Sequence, residues 1–167
     1  MFKFVFSEER FFLYLLIFFL FLLFVSYGYS KENEVNIDAD KMEIFEDEGV
    51  AVFTGKVFAT TKDMKLWADK LYVYYAKNNQ TGGTGKRELQ RVIAIGKVKI
   101  EKDKWKAICG KATYYKDQEK LYLEETPKVW HEDNLVEGDL IIVYFKEDRS
   151  EVFSKEGGRV RVKFYGK

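Results

Sequence analysis

Apolar and polar residues alternate with a period of two along most of the chain beyond Val35. Residues 42–44, 71–75, 98–100 and 121–124 alternate or are rich in β-branched and aromatic side chains, and both features favour strands. Clusters of Asp, Glu, Lys, Asn and Gly separate these segments and favour turns. No later segment has the pattern of a capped amphipathic helix, so the chain is predicted to be all-β.

The strand pattern recurs four times. Each copy begins with a small residue and a polar residue, and the copies occupy residues 39–44, 68–73, 110–115 and 138–143. The long interval between the second and third copies contains a polar, Gly-rich insertion at residues 78–87, which is predicted to be a loop. Turns about every 14–16 residues predict long antiparallel strands, stacked one on the next.

Each long strand is predicted to bend near its middle. Gly55 and Gly96 stand at corresponding places in the first two repeats, where a corner suits a glycine. An acid recurs at one repeat position, as Asp40, Asp69 and Asp139, and this predicts a structural role at the turns. Bent strands give either two facing sheets or a folded trough with a continuous apolar lining.

The alternation also assigns side chains to the interior of this stack. The predicted lining consists of Val35, Ile37, Met42, Ile44, Phe53, Leu71, Val73, Tyr115, Leu123, Ile141 and Val143. Five further inward positions are Val57, Leu66, Val98, Ile100 and Val129. A slip of one residue at a bulge turns a side chain to the opposite face, so each assignment is also a prediction of register.

The N-terminal segment has a different composition. Residues 11–25 form an unbroken apolar run of 15, preceded by basic residues and followed by a small residue, Gly28. This pattern predicts a signal peptide at residues 1–28. The run is shorter than the ~20 residues of a membrane span, although an uncleaved anchor is the alternative. In either case the remaining domain, residues 29–167, is expected outside the cytoplasm.

Composition argues against several kinds of chemistry. Lys and Arg number 28 against 27 Asp and Glu, a net charge of +1, so nucleic acid is not an expected partner. The single Cys109 cannot form an internal disulfide, and the single His131 argues against imidazole-rich zinc sites. Residues 82–87 only superficially resemble a phosphate-binding loop, because Gln80 stands in place of the first Gly and Arg87 in place of the Ser or Thr that binds magnesium. The sequence therefore predicts no enzyme activity, no cofactor and no metal.

Tyrosines are frequent in the predicted strands. They are Tyr72, Tyr74, Tyr75, Tyr114, Tyr115, Tyr122 and Tyr144. Ordinary cross-strand pairing and core filling account for such a series. The alternative hypothesis is that a subset lines a ligand groove.

Four segments resemble a known family. Residues 37–57, 66–73, 126–130 and 134–141 are similar to successive repeats of the LptA/OstA-like family of lipopolysaccharide-transport bridge proteins. The likeness extends over about residues 35–164. The departures are the Gly-rich insertion and a lysine in place of the third repeat's acid.

The resemblance implies an antiparallel β-jellyroll in the periplasm that binds lipopolysaccharide and shelters its acyl chains. Val35, Ile37, Ile44 and Tyr115 match family positions that contact lipid. Similar jellyroll components at the inner and outer membranes are the implied partners, with a head-to-tail homo-oligomer as a further possibility. The edges expected to pair with them by strand addition contain Val35, Ile37, Val160, Val162 and Phe164.

A lipid carrier also makes physical sense. Exposing one methylene costs about 0.8 kcal/mol, so a chain of ~12 carbons costs roughly 10 kcal/mol in water. The leading hypothesis is a bridge that carries the lipid. The alternatives are an inner-membrane-anchored jellyroll of the same system, a scaffold that binds only protein, and a hydrolase that uses His131 or Asp38.

Overall fold

The computed structural model describes residues 34–76 and 88–165. The predicted export segment at residues 1–28 and the predicted loop at residues 78–87 lie outside the described residues. Twelve strands lie within the described residues, and all their pairings are antiparallel. The all-β antiparallel prediction is therefore confirmed. Among these residues there is no helix with the length and apolar character needed to cross a membrane.

The strands follow the predicted alternation, and turns join most of them. They are β1 (Asn36–Asp38), β2 (Lys41–Phe45), β3 (Val50–Thr60), β4 (Met64–Tyr75), β5 (Leu89–Lys102), β6 (Trp105–Tyr115), β7 (Lys120–Glu124), β8 (Lys128–His131), β9 (Asn134–Glu137), β10 (Leu140–Tyr144), β11 (Arg149–Phe153) and β12 (Arg161–Lys163). The main path of the sheet is β1-β3-β4-β5-β6-β7-β10-β11. In addition, β2 pairs with β3, β8 pairs with β6 and β9, and β9 pairs with β12.

Corners divide the long strands into two halves. In β3 the corner consists of Gly55 (φ 85°) and Lys56 (φ 44°), and the register with β4 shifts there. In β5 it consists of Gly96 (φ 80°) and Lys97 (φ 47°), again with a register shift. Two successive residues with positive φ turn the strand sharply, and glycine accepts such a conformation without strain.

A close approach between chains accompanies each of these corners. A Cβ added to Gly55 would lie 2.9 Å from the Cβ of Asp40, and one added to Gly96 would lie 2.9 Å from the Cβ of Asp69. The acid predicted to have a structural role therefore packs against the glycine of the neighbouring strand. Only a residue without a side chain leaves room for that contact.

The third corner reverses these roles. Glu125 (φ 62°) occupies the corner, and the glycine opposite it is Gly110, where an added Cβ would lie 2.6 Å from the Cβ of Glu125. This exchange accounts for the missing acid of the third repeat. In the fourth repeat, Asp139 accepts a hydrogen bond from the backbone N–H of Lys155 at 2.8 Å.

The corners fold the sheet into two layers that face one another. We call "first layer" the strands β1, β8, β9 and β12 with the segments of β3–β6 that pair beside them. We call "second layer" the strands β2, β7, β10 and β11 with the remaining segments of β3–β6. Side chains from the inner faces of both layers form one hydrophobic cluster, as expected for a jellyroll.

Tyr115 is an exception, and its assignment to the lining was wrong. Inward positions of β6 are odd-numbered up to Cys109 and even-numbered from Ala112, because the corner at Gly110 shifts the alternation by one residue. Tyr114 therefore packs against the core, and Tyr115 lies on the outer face opposite Lys120.

The corner geometry predicts that Gly96→Ala is strongly destabilising. Positive φ strains an alanine by about 1–3 kcal/mol, and overlap with Asp69 adds to this, so we expect a loss of about 2–4 kcal/mol in the free energy of unfolding. Urea denaturation measures it.

The matched control is Gly157→Ala. Gly157 has a similar φ of 77°, but an added Cβ there meets nothing within 4 Å, so we expect a loss of about 1 kcal/mol. Equal losses for the two variants would contradict the close-contact account of the corner.

Candidate functional site

The inner faces of the two layers carry continuous rows of apolar side chains, one residue from each of eight paired strands. The inner row of the first layer is Ile37, Ala59, Leu66, Ile100, Ala107, Val129, Val136 and Val162. The inner row of the second layer is Met42, Phe53, Leu71, Ala94, Ala112, Leu123, Ile141 and Val152. Every member of both rows is apolar, so each layer presents a continuous apolar surface to the other.

Both ends of these rows are open to solvent. At the N-terminal end, Met42 is 51% exposed and its inward neighbour Ile44 is 55% exposed. At the C-terminal end, Val162 is 43% exposed. Apolar side chains on an inner face normally lose most of their contact with water. Here one row is uncovered at each end, at Met42 in the second layer and at Val162 in the first, whereas Ile37 and Val152 at the other two row ends are partly buried.

The middle of the rows is packed closed. Leu123 and Ala107 have no exposed surface, and Leu71 and Ile100 are each 2% exposed. An apolar ligand can therefore contact the ends of the rows as the structure stands. Contact along the full length requires the layers to move apart.

Most predicted lining residues face this interior. Phe53, Leu71, Val73, Leu123 and Ile141 are buried in the cluster, together with Val57, Leu66, Val98 and Ile100. Ile37, Val129 and Val143 are partly buried against it. Met42 and Ile44 share the inner face by register but lie at its open end.

Sequence reasoning missed the small residues of the interior. Ala68, Ala94, Ala107, Ala112 and Cys109 are all buried in the cluster. They occupy inward positions of the alternation, which was the available signal, but only the larger side chains were assigned to the lining. They matter because small side chains fill part of the interior between the two layers.

Tyr114 was missed for a different reason. It occupies the inward position that the register shift in β6 takes from Tyr115. Burial raises the pKa of its hydroxyl group, so Tyr114 remains neutral at physiological pH.

Each end of the folded sheet has two edge strands. Within the described residues, β1 and β2 pair only with β3 at the N-terminal end. At the C-terminal end, β11 pairs only with β10, and β12 pairs only with β9. Unpaired backbone groups on such edges are a ready template for another strand.

Of the five residues predicted to lie at these edges, all but the partly buried Ile37 are exposed. Val35 is 57% exposed beside β1, and Val160 and Phe164 are 41% and 79% exposed on either side of β12. Edge strands of soluble proteins usually carry few apolar side chains. The exposed apolar residues here are suited to contact a partner.

Glu137 of β9 forms ion pairs with the strands on both sides of it, β8 and β12. Glu137 contacts Lys128 at 2.9 Å and Arg161 at 3.7 Å. The hydrogen bond from Lys128, followed by the nearby positive charges, holds the pKa of Glu137 below its usual range. The carboxylate is therefore charged at neutral pH, and it ties the last strand to the layer.

The interior offers little acid–base or redox chemistry. Burial raises the pKa of the Cys109 thiol to about 12, so the thiol is protonated and unreactive near neutral pH. Within residues 34–76 and 88–165, no group of three or more His, Cys, Asp or Glu residues is arranged to hold a metal ion.

Comparisons with known proteins agree with this architecture. The sequence profile of a family described as "LptA/(LptD N-terminal domain) LPS transport protein" matches residues 36–149. The "Lipopolysaccharide export system protein LptH" of Pseudomonas aeruginosa is 27% identical over 120 residues, which cover 68% of this chain and 64% of that protein. The chain thus spans just under two thirds of the length of this relative.

A solved structure has the same fold. The crystal structure of LptH, described as the LptA homologous periplasmic component of the conserved lipopolysaccharide transport device of Pseudomonas aeruginosa, matches with a TM-score of 0.68. The match has 22% sequence identity and covers 83% of this chain and all of that one.

The buried thiol gives a direct test of the closed interior. With a pKa of about 12, about one Cys109 thiol in ten thousand is ionised at pH 8. We expect labelling by Ellman's reagent to be at least about 100-fold slower in the native protein than in urea. As the pH rises from about 9 toward 12, the Cys109 thiol ionises in the unfolded chain but stays neutral in the folded one. The free energy of unfolding therefore falls over this range. Rapid labelling of the native protein at pH 8 would show that the interior is open.

Proposed function

The chain belongs to the LptA/(LptD N-terminal domain) family of lipopolysaccharide transport proteins, and from this premise we propose that it carries lipopolysaccharide across the periplasm. In this role it binds the acyl chains between its two layers and leaves the charged headgroup in water. The proposed role is binding and carriage, without catalysis.

One observation supports the proposal most directly: two apolar rows line the interior, and one of them is exposed at each end. Met42 and Ile44 at one end and Val162 at the other offer contact to an acyl chain without any rearrangement. The gain from covering a chain, about 0.8 kcal/mol per methylene, offsets the cost of parting the side chains that are packed at the centre of the rows. An interior with an open entrance and an open exit suits passage better than storage.

The unpaired edge strands favour a continuous bridge of several jellyroll domains over a single protein that diffuses between the membranes. We propose that the edge at β1 and β2 pairs with the β11 and β12 edge of a second jellyroll, so that the inner rows of neighbours become continuous. The neighbours are other copies of this chain or the jellyroll components at the inner and outer membranes.

We also propose how the chain reaches the periplasm. Residues 1–28 direct export and are removed, and residues 29–167 act in the periplasm. The same jellyroll retained on an inner-membrane anchor is the second arrangement. The N-terminal sequence of the exported protein distinguishes them, because a start near Tyr29 requires cleavage.

The first functional prediction uses two adjacent residues with similar exposure. Ile44 is 55% exposed on the inner face, and Phe45 is 43% exposed on the outer face. With a photo-crosslinking benzoylphenylalanine at each position in turn, we expect Ile44 to give at least about tenfold more lipopolysaccharide adduct in intact cells, as acyl chains contact only the inner face.

Both variants place the same bulky group on β2, so differences in expression or folding are controlled. Equal adduct yields at the two positions, or none at Ile44 despite normal folding, would refute carriage along the inner face. A scaffold that binds only protein gives protein adducts alone.

The second prediction concerns the C-terminal edge. Val162→Ser removes an exposed inward side chain, whereas Lys163→Ser changes an outward one on the same strand. If edges of neighbouring copies meet, Val162→Ser should weaken self-association about tenfold and Lys163→Ser less than about twofold. Sedimentation equilibrium of the purified protein measures both, and identical behaviour of the two variants counts against the proposed joint.

A further inference from the structure

The outer face of the second layer carries tyrosines that neither the core nor the proposed lipid path uses. They are Tyr72, Tyr74, Tyr115, Tyr122 and Tyr144. Basic side chains lie against several of them: the Arg91 guanidinium is 4.2 Å from the ring centre of Tyr74, and that of Arg149 is 3.7 Å from the ring centre of Tyr144. Most of this face is therefore an ordered array of ring–cation contacts.

A cavity opens on this face across β6 and β7. It is a shallow depression, widely open to solvent, with a volume of about 420 Å³. Its walls are Lys111, Thr113, Tyr115, Gln118, Tyr122 and Glu124. None of these residues belongs to the hydrophobic cluster of the interior, so the cavity is a site separate from the lipid path.

Two aromatic walls give the cavity its shape. The rings of Tyr115 and Tyr122 have centroids 5.6 Å apart and planes at 82° to one another. The Arg91 guanidinium, 6.0 Å from the Tyr115 ring centre, helps to hold that ring in place. The electron-rich face of an aromatic ring attracts the weakly positive C–H groups of a ring-shaped ligand laid against it.

The polar groups of the cavity balance in charge. The ammonium group of Lys111 contacts the carboxylate of Glu124 at 2.9 Å, and this hydrogen bond raises the pKa of Lys111. Thr113 adds a hydroxyl group and Gln118 an amide group. A site with no net charge has little attraction for phosphate or for cations, and charged walls do not favour acyl chains.

We propose that this cavity binds a neutral saccharide ring. One apolar face of the ring stacks on a tyrosine. Neighbouring hydroxyl groups then donate to the Glu124 carboxylate and accept from the Lys111 ammonium, since each hydroxyl both donates and accepts. Thr113 and Gln118 bond to the remaining hydroxyls. No other chemical class matches aromatic walls together with a paired acid and base so well.

Two kinds of molecule can supply such a ring. One is a glycan strand of the cell wall, which a bridge across the periplasm must pass. The other is the sugar part of a glycolipid whose acyl chains lie in the interior. The recognition chemistry is the same, so the experiment has an arm for each.

The experiment is a titration of the purified protein with two probes. One is the tetramer of N-acetylglucosamine, and the other is lipid-free oligosaccharide released from lipopolysaccharide by mild acid. We expect one of them to bind by calorimetry and to shift the backbone amide signals of Thr113, Tyr115 and Gln118 in an NMR spectrum. Binding of the tetramer identifies a cell-wall source, and binding of the released oligosaccharide identifies the glycolipid.

Variants show whether the cavity is responsible. Tyr122→Ala removes one wall and Glu124→Gln removes the charge without changing the shape, and each should weaken binding at least about tenfold. Tyr72→Ala is the matched control, because Tyr72 lies on the same outer face outside the cavity. Crosslinking of lipid at Ile44 should be unchanged in all three variants.

The proposal is overturned if neither probe binds the unmodified protein, or if Tyr72→Ala weakens binding as much as Tyr122→Ala does. Equal binding of adenosine and the sugars would also overturn it, since stacking alone would then explain the site. Loss of lipid crosslinking bears only on the carrier role, so the two proposals fail independently.

Discussion

The fold depends on one steric constraint, which is that a carboxylate-bearing residue must pass almost in contact with the Cα of a glycine at each corner. Gly55 accepts Asp40 and Gly96 accepts Asp69 in this way, and Gly110 accepts Glu125. Without the corners, twelve paired strands would form a single open sheet with one apolar face in water. The corners place two halves of that face opposite each other, so the core, the two rows and the open ends all follow from them.

The same geometry bears on how an interior that is closed at its centre could admit the lipid proposed for it. The central members of the two rows include Ala94, Ala112 and Ala107. Small side chains lose few dispersion contacts when the layers part, so opening there costs less than it would between large side chains. The larger buried residues, Leu71 and Leu123, lie beside these alanines and provide the stability that keeps the empty protein folded.

Much of this arrangement could be predicted from the sequence, because the alternation and the turn clusters act locally. The strands, the corners at Gly55 and Gly96 and most inward residues follow from them. The outward orientation of Tyr115 does not follow from them. The one-residue shift in the alternation at Gly110 depends on a contact with Glu125, which lies just after β7. Such a contact leaves no local pattern. The alternation of apolar and polar residues also marks the small inward residues. Their contribution to packing, however, depends on the distance between the layers, which no single strand determines.

A strand with a period of two has two faces that can be used independently, and this chain uses both. On β6 and β7 the inward side chains Ala112 and Leu123 are apolar and packed, while Tyr115 and Tyr122 on the other face form a polar cavity. A substitution on one face leaves the chemistry of the other largely intact, because the backbone separates them. The two proposed binding sites, one for acyl chains inside and one for a saccharide outside, therefore need not compete for the same surface.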